Sequence, residues 1–380
     1  MLKSFYKISI GVLIVVLLPL QSYPQTVTGS IVHDGVTRNY RLHIPPNFDQ
    51  NQPTPLVFNL HGYTSNAIEQ EFYSAMNLVS DTAGFLVCYP NGVGESWNVG
   101  WNFGSNEDDV GFFGALTDTL IANYNVDPGR VYSCGMSNGG FMSYRLACEL
   151  NNKIAAVASV TGSMSPQYFP QCDPGRAVPA MEIHGTSDDV VWYNGTPNVS
   201  IHMDTVVLFW AENNSCNLDA DTIPIPNTNQ GDFSTATRID FNDCDNDAMV
   251  SFIKIQGGGH TWPGAPISIG VTNQDINASV EIWNFFNQFS LGSPTDTEEA
   301  FSAQTVKVFP NPASHTLYLS LNFDHPYRNY EIFNSQGQSL LRGQIDQIPQ
   351  SIDVSALIPD VSYLSVEGTN RKENVVFVRI

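Results

Sequence analysis

Positive charge is scarce in this 380-residue chain, where 16 Lys+Arg stand against 37 Asp+Glu for a formal net charge of −21. That shortage excludes a nucleic-acid binder that works by phosphate neutralisation, which needs clustered Lys and Arg. Charged residues of either sign make up only 14%, well under the roughly 25% of an average globular protein. Apolar residues nevertheless reach 42% and aromatics 11%, so the chain can build a buried core and is not of the disordered type. Beyond the first 25 residues no run is long and apolar enough to cross a bilayer. Cys-x-x-Cys pairs and His/Cys clusters at ligand spacing are also missing, so neither a metal nor a cofactor is expected.

The N-terminus has the pattern of an export signal. Lys3 and Lys7 precede the apolar run Ile8 to Leu20, and the polar stretch Gln21 to Gln25 follows. This core is too short for a spanning helix, and residues 1–25 read as a signal peptide. The six cysteines of an exported chain invite pairing. Cys216 and Cys244 flank a polar excursion that a bridge would staple, for about 3–4 kcal/mol in the chain-entropy model. Cys148 and Cys172 make a second candidate pair, whereas Cys88 and Cys134 fall inside strand-like runs and read as buried thiols.

Residues 26–290 alternate short apolar runs with amphipathic stretches, the pattern of a mostly parallel sheet with helices on both faces. Strands are predicted at 56–60, 84–89, 130–134, 155–159, 180–183 and 250–255, and helices at 69–80, 111–124, 138–150, 202–213 and 278–289. Residues 291–305 are rich in Pro, Ser, Thr and acidic residues and read as a linker. Residues 306–380 then carry short alternating runs without helical periodicity, which predicts a small all-β sandwich.

The most informative local pattern is Gly135-Met136-Ser137-Asn138-Gly139, set between a predicted strand and a predicted helix. Gly-x-Ser-x-Gly in that context is a nucleophile elbow, in which the glycines permit a strained turn that exposes the serine oxygen. Such an elbow needs an acid and then a histidine further along the chain. His260 lies in the glycine-rich loop Gly257-Gly258-Gly259-His260-Thr261-Trp262 after a strand, which makes it the best base. His202 begins a helix, His315 and His325 belong to the C-terminal module, and His184 lies ahead of any acid that follows its strand. Its expected job is to buttress a turn. Asp188 and Asp189 both follow that strand, and spacing does not choose between them. An oxyanion hole would take the backbone N–H of Asn138 and that of Tyr63, which follows the strand end Leu60-His61-Gly62.

These pieces together resemble the polyhydroxybutyrate-depolymerase-like branch of the α/β hydrolases, which includes feruloyl and acetyl-xylan esterases. The likeness runs through Tyr40 to Pro45, Leu60-His61-Gly62, Tyr89 to Gly92, Ser96-Trp97-Asn98, Asp108 to Phe112, Tyr124 to Pro128, Gly135 to Gly140, His184-Gly185-Thr186 and Gly257 to Gly264. It implies an α/β-hydrolase fold and a serine carboxylic-ester hydrolase. Its His-Gly-Thr-x-Asp pattern places the acid on Asp188. Trp192 stands where the family often has proline, and Asp108 and Asp109 match a family motif but would equally cap the helix that follows.

The C-terminal module resembles the sorting domain of the type IX secretion system, through Val308 to Ala313, Ile332 to Gln338 and Lys372 to Ile380. Val361-Ser362-Tyr363 departs from its usual Gly-x-Tyr, and a carbohydrate-binding sandwich is the competing reading. The implied protein is secreted or attached to the cell surface, with the type IX machinery and an ester substrate as partners. Trp97, Trp101, Trp192 and Trp262 are expected to wall the substrate cleft. Plant cell-wall esters are the expected substrate and polyhydroxyalkanoates the alternative, with a non-catalytic surface-binding protein as the distant third.

Overall fold

The structure is a computed structural model that describes residues 24–292, 306–309, 313, 315–321, 327–334, 338–345, 350–358, 361–368 and 372–379. The expected linker from residue 293 onward and the expected signal peptide through residue 23 lie outside the described residues. The chain divides into two units at Ser293 and Pro294.

In the first unit the elements follow in the order β1 (Gln25–His33), β2 (Val36–Ile44), β3 (Thr54–Leu60), α1 (Ala67–Ser74), α2 (Met76–Ala83), β4 (Leu86–Pro90), α3 (Asp109–Tyr124) and β5 (Val126–Met136). They continue with α4 (Asn138–Glu149), β6 (Ala156–Val160), β7 (Ala180–Gly185), α5 (Met203–Asn213), β8 (Asp221–Pro224), β9 (Thr235–Phe241), β10 (Val250–Gln256) and α6 (Ala278–Phe286). The strands form one sheet in the order β1-β2-β4-β3-β5-β6-β7-β10-β9-β8. From β4 to β10 every neighbouring pair is parallel. This is the mostly parallel sheet expected from the alternation of runs and the α/β-hydrolase arrangement that the resemblance implies.

β3, β4, β6 and β7 are buried at every position, and mostly apolar, because both faces are covered. Leu56, Phe58 and Leu60 of β3 enter the same core as Phe112, Phe141 and Trp210 from α3, α4 and α5. Val57, between them, points to the opposite core with Met76, Trp283 and Phe286 from α2 and α6. The antiparallel edges are different. β1 alternates exposed and half-buried residues, and β8 is exposed throughout. They carry too little apolar periodicity to stand out in the sequence, so the strict β, α, β, α order expected there is corrected at both edges.

The helix predicted over 69–80 is broken in two by Ala75 in the left-handed conformation, at φ 49°. No glycine or proline marks this break. Cys148 is bonded to Cys172 and Cys216 to Cys244, while Cys88 and Cys134 are free and buried.

The second unit contains β11 (Val306–Phe309), β12 (Thr316–Leu321), β13 (Tyr327–Asn334), β14 (Ser339–Gln344), β15 (Gln350–Asp353), β16 (Val361–Gly368) and β17 (Lys372–Val378). They form two antiparallel sheets, β11-β12-β15 and β14-β13-β16-β17. Leu317, Leu319, Ile352, Leu364 and Phe377 from both sheets share one buried core, as two layers with alternating inward residues require.

Candidate active site

The elbow arises where β5 runs into α4. Ser137 sits between them at φ 54° and ψ −122°, a conformation that costs an L-residue energy and persists because its neighbours leave no alternative. A Cβ on Gly135 would lie 2.6 Å from the Gly139 carbonyl carbon, and one on Gly139 would lie 2.2 Å from the Leu60 carbonyl oxygen. The two glycines therefore let α4 start against the end of β3. Gly139→Ala is expected to lower unfolding stability by about 1–3 kcal/mol, because the methyl meets backbone and not a movable side chain. Urea unfolding measures this, and an unchanged midpoint would show that the close approach is dispensable.

The loop after β3 comes beside the serine. A Cβ on Gly62 would stand 3.4 Å from Ser137 Cβ. His61, fully buried, accepts the Gly92 N–H at Nε2 (2.9 Å), so its Nδ1–H donates to the Gly62 carbonyl at 2.7 Å. Burial pulls this imidazole down to about 4, against the hydrogen bond to Gly62, so it is neutral at ordinary pH. The Gly62 carbonyl and the Tyr63 N–H belong to one peptide plane, so His61 fixes the direction of the Tyr63 donor. This role for His61 was not read from the sequence.

Asn138 binds the loop that bears Trp97. Its Oδ1 accepts the Trp97 N–H at 2.6 Å and its Nδ2 donates to the Trp97 carbonyl at 3.2 Å. Asp109 accepts from Asn98 N (2.7 Å) and from Arg38 Nη2 (2.6 Å) within the core, whereas Asp108 caps α3 by accepting from Gly111 N at 3.0 Å. The two adjacent aspartates thus do different work, one anchoring the Trp97 loop and the other capping the helix.

Asp188 follows β7 and is buried, while Asp189 is exposed. Asp188 Oδ1 accepts the N–H groups of Val190 (2.9 Å) and Val191 (2.8 Å), and Oδ2 accepts from His260 Nδ1 at 2.8 Å. The loop of His260 is laced to the end of β7, with Ser187 N donating to Gly258 O at 2.9 Å and Gly257 N to Thr186 Oγ1 at 2.9 Å. Ser137 and His260 open onto one cleft of about 400 Å³, whose other walls include Tyr63, Phe72, Tyr73, Ile267 and Ile269.

The tryptophans expected to wall this cleft do not line it. Trp97 is buried and donates from Nε1 to the His61 carbonyl at 2.9 Å. Trp101 is buried and donates to Val199 O, and Trp262 is buried and donates to Ser279 Oγ. Trp192 is 56% exposed but stands outside the cleft, its Nε1 donating to Asp189 O. Their loops were placed correctly at the sheet edge, but the rings turn inward to close indole donors on backbone or hydroxyl acceptors, as buried indoles require.

Residues 38–222 match the family described as esterase PHB depolymerase. Over 278 residues the chain is 31% identical to a putative esterase, NocK, of Nocardia uniformis subsp. tsuyamanensis, covering 67% of this chain and 80% of that one. The chain belongs to the PHB-depolymerase esterase family. This esterase is also 30% identical over 263 residues to a probable feruloyl esterase C of Aspergillus niger, covering 67% of this chain and 86% of that one. A bifunctional acetylxylan esterase/xylanase, XynS20E, of Neocallimastix patriciarum is 28% identical over 280 residues, but the esterase chain spans only 37% of that longer protein. Residues 307–377 match a secretion system C-terminal sorting domain. The protein is a carboxylic-ester hydrolase with a sorting domain at its C-terminal end.

Among the described residues one group of possible metal donors lies close together, His33, Asp34 and Asp108 of this esterase. None of them lines the cleft, and Asp108 is already engaged as a cap.

Proposed function

We propose that this esterase works through a Ser137-His260-Asp188 triad. The observation that carries the reading is the buried Asp188 bonded to His260 Nδ1, with Ser137 on a strained elbow in the same cleft. Because Nδ1 donates to the carboxylate, Nε2 is the nitrogen left to accept the Ser137 proton as the oxygen attacks the ester carbonyl. The tetrahedral oxyanion is received by the backbone N–H groups of Tyr63 and Asn138, neither of which donates to a protein group among the described residues. Collapse expels the alcohol, which takes the proton from His260. Water, deprotonated by the same imidazole, then hydrolyses the acyl-enzyme.

The substrate we favour is an acyl group, feruloyl or acetyl, on plant cell-wall polysaccharide, met by an enzyme exported by way of the signal peptide and the type IX sorting domain to the cell surface or medium. Relatives named as feruloyl and acetylxylan esterases support this. So does the cleft, whose Tyr63, Phe72 and Tyr73 offer aromatic surface to a planar acyl group. One observation favours polyester as the second reading. Phe72, Ile267 and Ile269 are each more than half exposed at the cleft, giving it an apolar rim. Comparison of kcat/KM on methyl ferulate, acetylated xylan and a hydroxybutyrate oligomer separates the two. At least about a tenfold preference for either cell-wall ester is expected, and equal, feeble rates on all three would sink the proposal.

A further inference from the structure

Behind Asp188 stands a second carboxylate and imidazole that the triad chemistry does not consume. Glu182 and His184 are two residues apart on β7, so both side chains leave the sheet on the same face, and both are buried. His184 Nε2 lies 2.9 Å from the Val191 carbonyl, which can only accept, so Nε2 carries a proton. The same Nε2 is 3.5 Å from Asp188 Oδ2. On the other side of the ring, Nδ1 faces Glu182 Oε1 at 3.2 Å. Glu182 Oε2 accepts the hydroxyl of Tyr144 at 2.8 Å, and Tyr144 belongs to α4, the helix that begins at the elbow. A continuous buried chain of polar groups therefore runs from the helix of the nucleophile through Glu182, His184 and Asp188 to His260.

One proton remains to be placed between Glu182 and His184. The imidazole lies between two carboxylates, Glu182 and Asp188, at hydrogen-bond and near hydrogen-bond distance. Burial opposes its charge, but the hydrogen bond and charge of Glu182, followed by the charge of Asp188, outweigh it and raise the His184 imidazole. Burial raises the Glu182 carboxyl as well, which the His184 contact opposes. The other charged and titratable groups around them are already matched. Tyr193 packs edge-on against the His184 ring with its hydroxyl on Asp204, and His202 packs against Tyr193. Lys254, paired with His184 across β10 and β7, rests its ammonium on the Tyr193 ring.

We propose that Glu182 and His184 form a buried ion pair that positions Asp188 and sets the electrostatics of the acid-base end of the triad. The imidazolium lies 3.5 Å from Asp188 Oδ2, the oxygen that accepts from His260, and holds the carboxylate in position for that bond. Its positive pole is nearer to His260 than the negative pole of Glu182, which bonds the far nitrogen of the ring. The pair therefore tempers the attraction that Asp188 alone would exert on a protonated His260. Both are positioning residues, since neither touches substrate. The proposal rests on the triad assignment above.

Glu182→Gln isolates the charge. The amide oxygen can accept from Tyr144 and the amide NH2 can donate to a bare His184 Nδ1, so the hydrogen bonds survive while the ion pair becomes neutral. With the imidazolium gone, Asp188 holds the protonated His260 more strongly, and the acid limb of kcat/KM moves to higher pH by about half to one unit. KM on a nitrophenyl ester should stay within about twofold. A purely structural role would leave the pH profile in place, and an unmoved acid limb would overturn the proposal. A second measurement needs no variant. Nitrogen-15 NMR of the histidine rings in the wild-type enzyme near neutral pH should show both His184 nitrogens protonated, and a bare Nδ1 would overturn the proposal even if Glu182→Gln fails to fold. Failure of the triad reading would appear as retained activity in Ser137→Ala, a result that leaves the His184 spectrum unaffected.

Discussion

Ser137→Ala should lower kcat on a nitrophenyl ester by about 10⁴–10⁶-fold while leaving the fold and its stability close to wild type. The size of the effect follows from what is removed. On the proposed mechanism the remaining oxyanion donors, His260 and Asp188 would still bind and polarise an ester, but no oxygen would stand on the elbow to attack it. The stability expectation follows from the backbone. Ser137 is held at φ 54° by the contacts of Gly135 and Gly139 with the end of β3, and alanine, with the same Cβ, meets the same constraint. Steady-state kinetics together with thermal unfolding check both parts. Retention of full activity by a folded Ser137→Ala protein would show that another group is the nucleophile.

Asp188→Asn should cost about 10⁴-fold in kcat near neutral pH, through a change of tautomer. Oδ1 receives two backbone N–H groups, from Val190 and Val191, so the amide oxygen of asparagine must take that position. The amide NH2 is then forced to face His260 Nδ1, where a donor stood before. Imidazole adapts by leaving Nδ1 bare and placing its proton on Nε2, the nitrogen that accepts from Ser137 in the proposed mechanism. Asp189→Asn is the matched control. Its side chain is exposed, and its loss should change kcat by less than about twofold, as expected of a surface substitution. If Asp189→Asn proved the more damaging of the two, the acid would be misassigned.

The parts of the site that could be read from sequence are those written in local punctuation. Glycines 135 and 139 around Ser137, the three glycines before His260 and the His184-Gly185-Thr186 turn before Asp188 each lie where a strand ends, and strands buried on both faces are visible as short, mostly apolar runs. The halves of the sheet without such runs were invisible. β1 and β8 have exposed or half-buried patterns, and Ala75 breaks a helix with no residue that announces it. The choice between Asp188 and Asp189 came from resemblance; of the two, Asp188 is the one turned inward, to two backbone donors and His260.

By itself the sequence determined the kind of fold, the elbow and the order of the groups along the chain, because these depend on periodicity and on residues adjacent in sequence. The direction in which loop side chains point was decided only by the tertiary structure. Trp97 and Trp262 lie on loops beside the cleft yet turn into the core, because a buried indole N–H needs an acceptor and the His61 carbonyl and Ser279 hydroxyl are where those acceptors lie. Phe72, Ile267 and Ile269, from segments without any distinguishing motif, form the walls instead. The same holds for Glu182 and His61. Each acquires its place by packing against residues distant in the chain, Tyr144 on one hand and Gly92 on the other, and such pairings exist only once the sheet has assembled.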